Sequence, residues 1–359
     1  MKKNYILLFL LSVIISFAQN GAPATPYYNG FNWNQTGTAL KNALATKITT
    51  THTSILSYSD VWEALKIVDL DPTNSNNVQL IYGWENGSDS DVTNDRVRNK
   101  NNNGGNVGEW NREHVFAQSL GNPALGQSGP GADAQMLRAS DVQRNSDRGN
   151  KKFGAGSGIQ STTVGSNWYP GDEWKGDCAR IIMYMYLRYG NQCLPTYVAS
   201  GTTNSSDSNM IDLLLQWNAE DPVSQYEDNR NTYLGNSSNS YGQGNRNPFI
   251  DNPYLATVIW GGPVAQNRWP SIFLSTENFV NLSEISVYPN PSNDNRVNIE
   301  TKIALEEIEL INLNGQLIQV IKKPVLNNNT YTLENLPQGF YLLRLSSENQ
   351  SITKKIIVN

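Results

Sequence analysis

With 359 residues, the chain has length for about two domains and a sizeable core. A net charge of −5 and a pI near 5.2 argue against a protein that binds nucleic acid through a uniformly basic surface. Any affinity for polyanions must then come from charge that is locally segregated.

Lys2 and Lys3 precede the apolar run from Tyr5 to Phe17, and Ser16-Phe17-Ala18 supplies small residues for cleavage. This predicts a secretory signal peptide over residues 1–18. The run is too short for a membrane span, which needs about 20 apolar residues. A soluble, exported mature chain is expected. Next, Asp60-Val-Trp-Glu63 reads as a capping box opening a helix through about Asp69. Val78 to Tyr82 reads as a buried strand, and residues 86–108, rich in Asn, Gly and Asp, as one long loop. Asp89, Asp91 and Asp95 lack the Gly and Glu spacing of a calcium loop. His52 has no ligand-like neighbour and reads as structural.

The most informative segment is Trp110-Asn111-Arg112-Glu113-His114-Val115. It holds one of only two histidines, with a carboxylate directly before it and Asn145, Arg148 and Asn150 some thirty positions on. A histidine, an acid, an amide and an arginine supply a general base, hard-cation ligands and phosphate-facing charge, the combination phosphodiester cleavage needs. The bland alternative is a strand whose Arg-Glu-His merely alternates between core and solvent. From Arg138 to Lys152, five basic residues against two acidic ones leave a local +3, which is either a substrate surface or a solvated helix face. Arg148, three residues after Asn145, would share its helical face.

Asp177 to Tyr189 reads as a mostly apolar helix whose Met and aromatic residues suit a core. Arg180 within it either faces phosphate or caps structure. Cys178 and Cys193 invite a disulfide in an exported chain. A continuous helix would separate their ends by about 18 Å at about 1.5 Å per residue, beyond what a disulfide tolerates. Trp217, Trp260 and Trp269 read as packing residues.

After Ile285 the composition turns β-rich, with strands expected over 296–300, 308–313, 316–321, 331–333, 341–345 and 352–358. Asn314-Gly315 is a hairpin signal, and Tyr341, Leu343 and Leu345 share one face.

Taken together, these blocks resemble the bacterial endonuclease I family of secreted, non-specific His-Me finger (ββα-metal) nucleases. The resemblance rests on Trp110–Val115, on Asp141–Asn150, on Lys175–Arg180, on Trp217–Ser224 and on Gly244–Asp251, in that order. It implies an α+β catalytic domain over 19–267, with His114 on the finger's first strand and Asn145 on its following helix. His114 is then the general base, Glu113 and Asn145 hold Mg²⁺ (Mn²⁺ and Ca²⁺ being alternatives), and Arg148 or Arg180 stabilises the transition state. DNA and RNA are the implied substrates, cut to 5′-phosphate ends. The chain departs from the family's Ala-Asp-Leu-His-Asn-Leu-x-Pro, reading Ala132-Asp-Ala-Gln-Met-Leu-Arg-Ala139. Altered packing near the site is expected from this change. Val287-Tyr-Pro-Asn-Pro291, the Asn-Gly-Gln hairpin and Leu336-Pro-Gln-Gly-Phe-Tyr-Leu-Leu-Arg-Leu345 resemble the C-terminal sorting domain of type IX secretion substrates. That implies a small all-β sandwich over 285–359, a linker over 268–284, contact with the type IX machinery and delivery beyond the outer membrane. A monomer is expected. The competing readings are a catalytically inactive secreted binding or adhesion protein on the same fold, and a glycosidase, for which Asp172 and Glu173 are a poor acid pair.

Overall fold

The computed structural model describes residues 22–273, 285–301, 303–347 and 350–359. The expected signal peptide and residues 274–284 of the expected linker lie outside them. Two compact units divide between Ile272 and Phe273. The first therefore extends past the expected boundary at 267. Trp269 is fully buried and packs edge-on against Tyr28 and Trp33, so residues 268–272 belong to the catalytic core and not to a linker.

The first unit begins with α1 (Gly37–Thr51) and α2 (Asp60–Val68). In α1, Leu40, Leu44 and Ile48 recur every four residues and are buried; in α2 the stripe is Val61, Ala64, Leu65 and Val68. Each large apolar side chain so buried contributes about 1.5–3 kcal/mol. The helix over 60–68 forms as expected, but the capping box does not. Asp60 instead accepts from the backbone N–H and hydroxyl of Ser57, at 2.9 and 2.7 Å.

An antiparallel sheet follows, of β1 (Leu70–Asp71), β2 (Asn74–Gln79) and β3 (Val97–Asn99). Two expectations change here. The strand ends at Gln79, and Leu80 to Tyr82 turn through a buried path with Tyr82 at φ 75°. The segment 86–108 is not one loop, because Val97–Asn99 pairs with Asn77–Gln79.

Next come β4 (Trp110–His114), β5 (Leu137–Asp141) and α3 (Val142–Arg148), a strand-strand-helix unit. Asp141 caps α3 by accepting from Gln143 and Arg144 N–H at 2.8 and 3.0 Å. Gly149, at φ 54°, ends the helix in a conformation that favours glycine. A hairpin of β6 (Thr162–Val164) and β7 (Asn167–Tyr169) leads to α4 (Lys175–Tyr189). Twelve of the 15 residues of α4 are buried, which makes it the unit's central helix. Around it stand α1, α5 (Pro195–Val198), α6 (Asp212–Glu220), and α8 (Pro248–Asp251), which follows α7 (Gln225–Leu234); α9 (Tyr254–Trp260) closes the unit against α1. Cys178 and Cys193 are buried free thiols, as the helix geometry requires.

The second unit has two antiparallel sheets. One contains β8 (Ser286–Tyr288), β9 (Val297–Glu300) and β12 (Thr330–Leu333), in the order β12-β9-β8. The other contains β10 (Glu307–Asn312), β11 (Leu317–Lys322), β13 (Gly339–Ser347) and β14 (Gln350–Val358), in the order β11-β10-β13-β14. Val297, Ile299, Ile308, Leu310, Leu343 and Leu345 form the core between them. All six expected strands are present, and Ser286–Tyr288 adds a seventh. Gly315, at φ 79°, makes the β10-β11 turn.

Candidate active site

β4 and β5 pair antiparallel, with Glu113 opposite Arg138 and His114 opposite Leu137. Strand alternation puts Asn111 and Glu113 on one face of β4 and Trp110, Arg112 and His114 on the other. The helix α3 packs on the first of these faces. Asn145 Nδ2 donates to Asn111 Oδ1 at 2.8 Å, and Arg148 Nη1 donates to Glu113 Oε1 at 3.0 Å.

Glu113 is 2 % exposed, and the Tyr82 hydroxyl donates to its Oε1 at 2.8 Å. Burial pushes the Glu113 carboxyl above its ordinary range, opposed by the Arg148 charge and the Tyr82 hydrogen bond. Arg148 also donates to the carbonyls of His114 and Val115, each at 2.8 Å. One guanidinium therefore fixes the acid and the backbone on either side of the strand's end.

His114 sits differently. Its Nε2 lies 3.0 Å from the Gly131 carbonyl, and its ring stacks on Tyr58 with centroids 5.6 Å apart. Gly131 can bring its backbone here because it has no Cβ, which would stand 2.0 Å from the Gly126 oxygen. Burial lowers the imidazole to about 4, reinforced by Arg112 and Arg148 and opposed by the Gly131 bond. At neutral pH the ring is uncharged. A carbonyl can only accept, so Nε2 carries the proton and Nδ1 keeps the lone pair.

The donors on the α3 face are oxygens of one carboxylate and two amides, Glu113, Asn111 and Asn145. Among the described residues no group of three or more His, Cys, Asp or Glu is gathered. A soft or strongly chelated metal is thus unsuited, whereas a hard cation that keeps several waters fits this set. With Nδ2 of Asn145 engaged by Asn111, its Oδ1 is the atom left to face a cation.

The two arginines expected to meet phosphate are internal. Arg148 is 1 % exposed and held as described. Arg180 is fully buried, with Nε and Nη2 on the Glu227 carboxylate at 2.6 and 2.8 Å and Nη1 on the Asp221 carbonyl at 2.7 Å. The bidentate pair ties α4 to α7, and neither guanidinium is open to a substrate. The local +3 is only partly drawn inward. Arg138 lies on β5, not on a helix, and pairs with Asp177 at 2.9 Å; Arg144 stacks on Trp84; the Lys151 and Lys152 ammonium groups bond the Asp147 and Thr196 carbonyls.

The departures over Ala132–Ala139 are absorbed by the core. Gln135, at the position of the family's second histidine, is buried and donates to Asn231 Oδ1 and the Asn245 carbonyl. Ala139, at the position of the proline, donates its N–H to the buried Asp69 at 2.6 Å, a bond proline cannot make.

Comparison with known proteins places the chain in a family. The family model for Endonuclease I matches residues 36–254, which include β4, β5 and α3. The chain belongs to the Endonuclease I family. It is 43 % identical over 255 residues to the extracellular ribonuclease of Bacillus subtilis (strain 168), covering 67 % of this chain and 82 % of that protein. Against the extracellular ribonuclease of Bacillus amyloliquefaciens it is 43 % identical over 236 residues, covering 63 % and 75 %. The model for the secretion system C-terminal sorting domain matches residues 286–359 of the second unit. This Endonuclease I protein is a secreted nuclease with a type IX sorting domain. Among its described residues no helix is long and apolar enough to cross a membrane.

Tyr82, Tyr58 and Gly131 join the candidate site without having been singled out from sequence, and Asn111 and Arg112, though within the segment around His114, were given no role of their own there. Asn111 could have been given one, since it stands two residues before Glu113 on a strand. Tyr82, Tyr58 and Gly131 carry no such local signal.

Proposed function

We propose that this nuclease hydrolyses phosphodiester bonds in both DNA and RNA with little sequence preference, as a monomer, and leaves 5′-phosphate ends. His114 acts as general base, and Glu113 and Asn145 hold a Mg²⁺ ion. The observation that carries the reading is the anchored, uncharged imidazole of His114 next to a buried carboxylate that faces two amides. Nδ1 of His114 takes a proton from the attacking water. As the ring becomes charged, the Gly131 carbonyl accepts a stronger bond from Nε2, while Arg112 and Arg148 disfavour the charged form. Arg148 and Tyr82 hold Glu113 so that one of its oxygens is already engaged. When bound, Mg²⁺, or Mn²⁺ or Ca²⁺ on the same oxygen donors, supplies charge neutralisation on the phosphate and the leaving oxygen. Water as the nucleophile needs no 2′-hydroxyl, so the same residues serve DNA and RNA. The printed names of the two Bacillus relatives support the RNA substrate. Contacts to phosphate carry little sequence information, which accounts for non-specificity.

Supercoiled plasmid and end-labelled RNA, each incubated with Mg²⁺, Mn²⁺, Ca²⁺ or EDTA, test the proposal. Both should be cut only with metal, and the DNA ends should be ligatable without a kinase. RNA cleavage that persists in EDTA and yields 2′,3′-cyclic ends would replace this reading with metal-free attack by the 2′-hydroxyl.

A further inference from the structure

One cation beside the proposed base lacks an acid. Among the described residues of the nuclease unit, every arginine except Arg112 and Arg188 has a carboxylate oxygen within 4.0 Å. Arg188 faces His52 at 3.3 Å, at a distance in sequence from β4. Arg112 lies on β4 itself, two residues before His114 and on the same face.

Its guanidinium is held without an anion. The central carbon lies 3.5 Å from the centroid of the Tyr58 ring and 4.3 Å from that of Trp62, and Nη1 donates to the Tyr58 carbonyl. Nε is buried and has no hydrogen-bond partner. The Tyr58 ring also stacks on His114, so a single aromatic side chain fixes the cation and the base to each other. Arg112, Tyr58, Trp62 and His114 are all half-buried, so the group reaches solvent. A partly desolvated cation with no carboxylate is compensated when an anion arrives at its solvent-facing end, where a guanidinium offers directional N–H donors to a phosphate.

We infer that Arg112 contacts a substrate phosphate at the scissile linkage or beside it, with Tyr58 and Trp62 holding its guanidinium in position. The inference rests on the nuclease reading above. It gives Arg112 the role that the ion-paired Arg148 and Arg180 cannot fill.

The test is binding without metal. Fluorescence anisotropy of a short single-stranded phosphorothioate DNA, with the full chain in EDTA, is followed across a salt series. Arg112→Gln should weaken binding several-fold at low salt and flatten the log Kd against log salt slope by about 0.7, one single-strand phosphate contact. Arg112→Lys should keep the slope but lose about tenfold in kcat/KM with metal, because an ammonium cannot replace the planar fork. Wild-type slope and affinity in Arg112→Gln, whether or not its melting temperature falls, would overturn the inference and leave Arg112 as a pin between α2 and β4. If Arg112→Gln fails to fold, wild-type kcat/KM in Arg112→Lys overturns it equally. Failure of the wild type to bind the probe would sink the nucleic-acid reading and this inference together, whereas metal-independent cutting of ordinary DNA faults only the metal.

Discussion

Arg148 Nη1 lies 3.0 Å from Glu113 Oε1 and 2.8 Å from the His114 carbonyl, so one buried cation positions the proposed ligand and the backbone of the proposed base together. The pair is almost fully removed from solvent. Breaking it from either side strands a charge, and that governs the first expectation.

Arg148→Met should destabilise the nuclease unit by about 3–5 kcal/mol, the usual cost of leaving one buried ion unpaired. Arg148→Met with Glu113→Gln should recover part of the loss, since the remaining amide is neutral. Urea unfolding of both variants checks this. A single variant with wild-type stability and no activity would mean that Arg148 faces substrate after all.

Base and ligand should fail differently. His114→Ala should keep Mg²⁺ or Mn²⁺ affinity within a few-fold and lose about 10²-fold or more in rate, the usual worth of a general base. Glu113→Gln and Asn145→Ala should weaken metal binding, with activity partly restored by excess metal. Calorimetric titration decides: abolished binding in His114→Ala, or normal binding in Glu113→Gln, reverses the assignment.

Arg180→Met should cost stability, about 3 kcal/mol or more, because Glu227 is left buried without its bidentate partner. Specific activity of the folded fraction at low temperature should stay near wild type. A large kcat loss at unchanged melting temperature would put Arg180 back at the reacting phosphate.

The part of stability that His114 contributes should rise with pH between about 5 and 6.5, against the opposite slope of Asp177, which burial raises to about 8. His114 titrates near 4 when folded, against about 6.5 unfolded, so across that window this residue binds more protons in the unfolded chain. Its contribution is complete above the unfolded value and is lost as pH falls toward the folded one. The size is about 2 kcal/mol between pH 7 and 5. His52, also lowered by burial, acts in the same direction. Melting temperatures of wild type and His114→Gln should therefore converge as pH falls; parallel curves would contradict the depressed value.

A chain of residues 19–275 should fold and cut nucleic acid, because each unit has its own core. Soluble but inactive protein, beside an active full chain, would mean the tail contributes to catalysis.

Much of the sorting domain was legible because a half-buried strand writes its environment into every second residue. Leu343 and Leu345 announce a buried face, and Asn314-Gly315 announces the turn. In the nuclease unit, α2 and α4 were likewise readable, from apolar spacing and from an apolar run. The strand ending at Gln79 was misplaced, since Leu80 to Tyr82 are as buried as a strand while their backbone turns.

The strand-strand-helix around His114 came from the resemblance; by itself the sequence determined α2, α4 and the strands of the tail, and the residue chemistry that Glu113, His114 and Asn145 bring. These are properties of neighbours, set by backbone period and residue type. Only the tertiary structure decided which arginines face inward. An arginine has the same local signature whether it meets water or a buried acid, and the acid that decides is remote: Glu113 lies 35 residues from Arg148, and Glu227 lies 47 from Arg180. Arg112, to which the sequence assigned no role of its own, is the arginine beside His114 that such pairing leaves without a carboxylate. Burial is a property of the whole packed chain, and it moved Arg138 and Arg148, two of the cations that local charge counting had assigned to the surface, into the core.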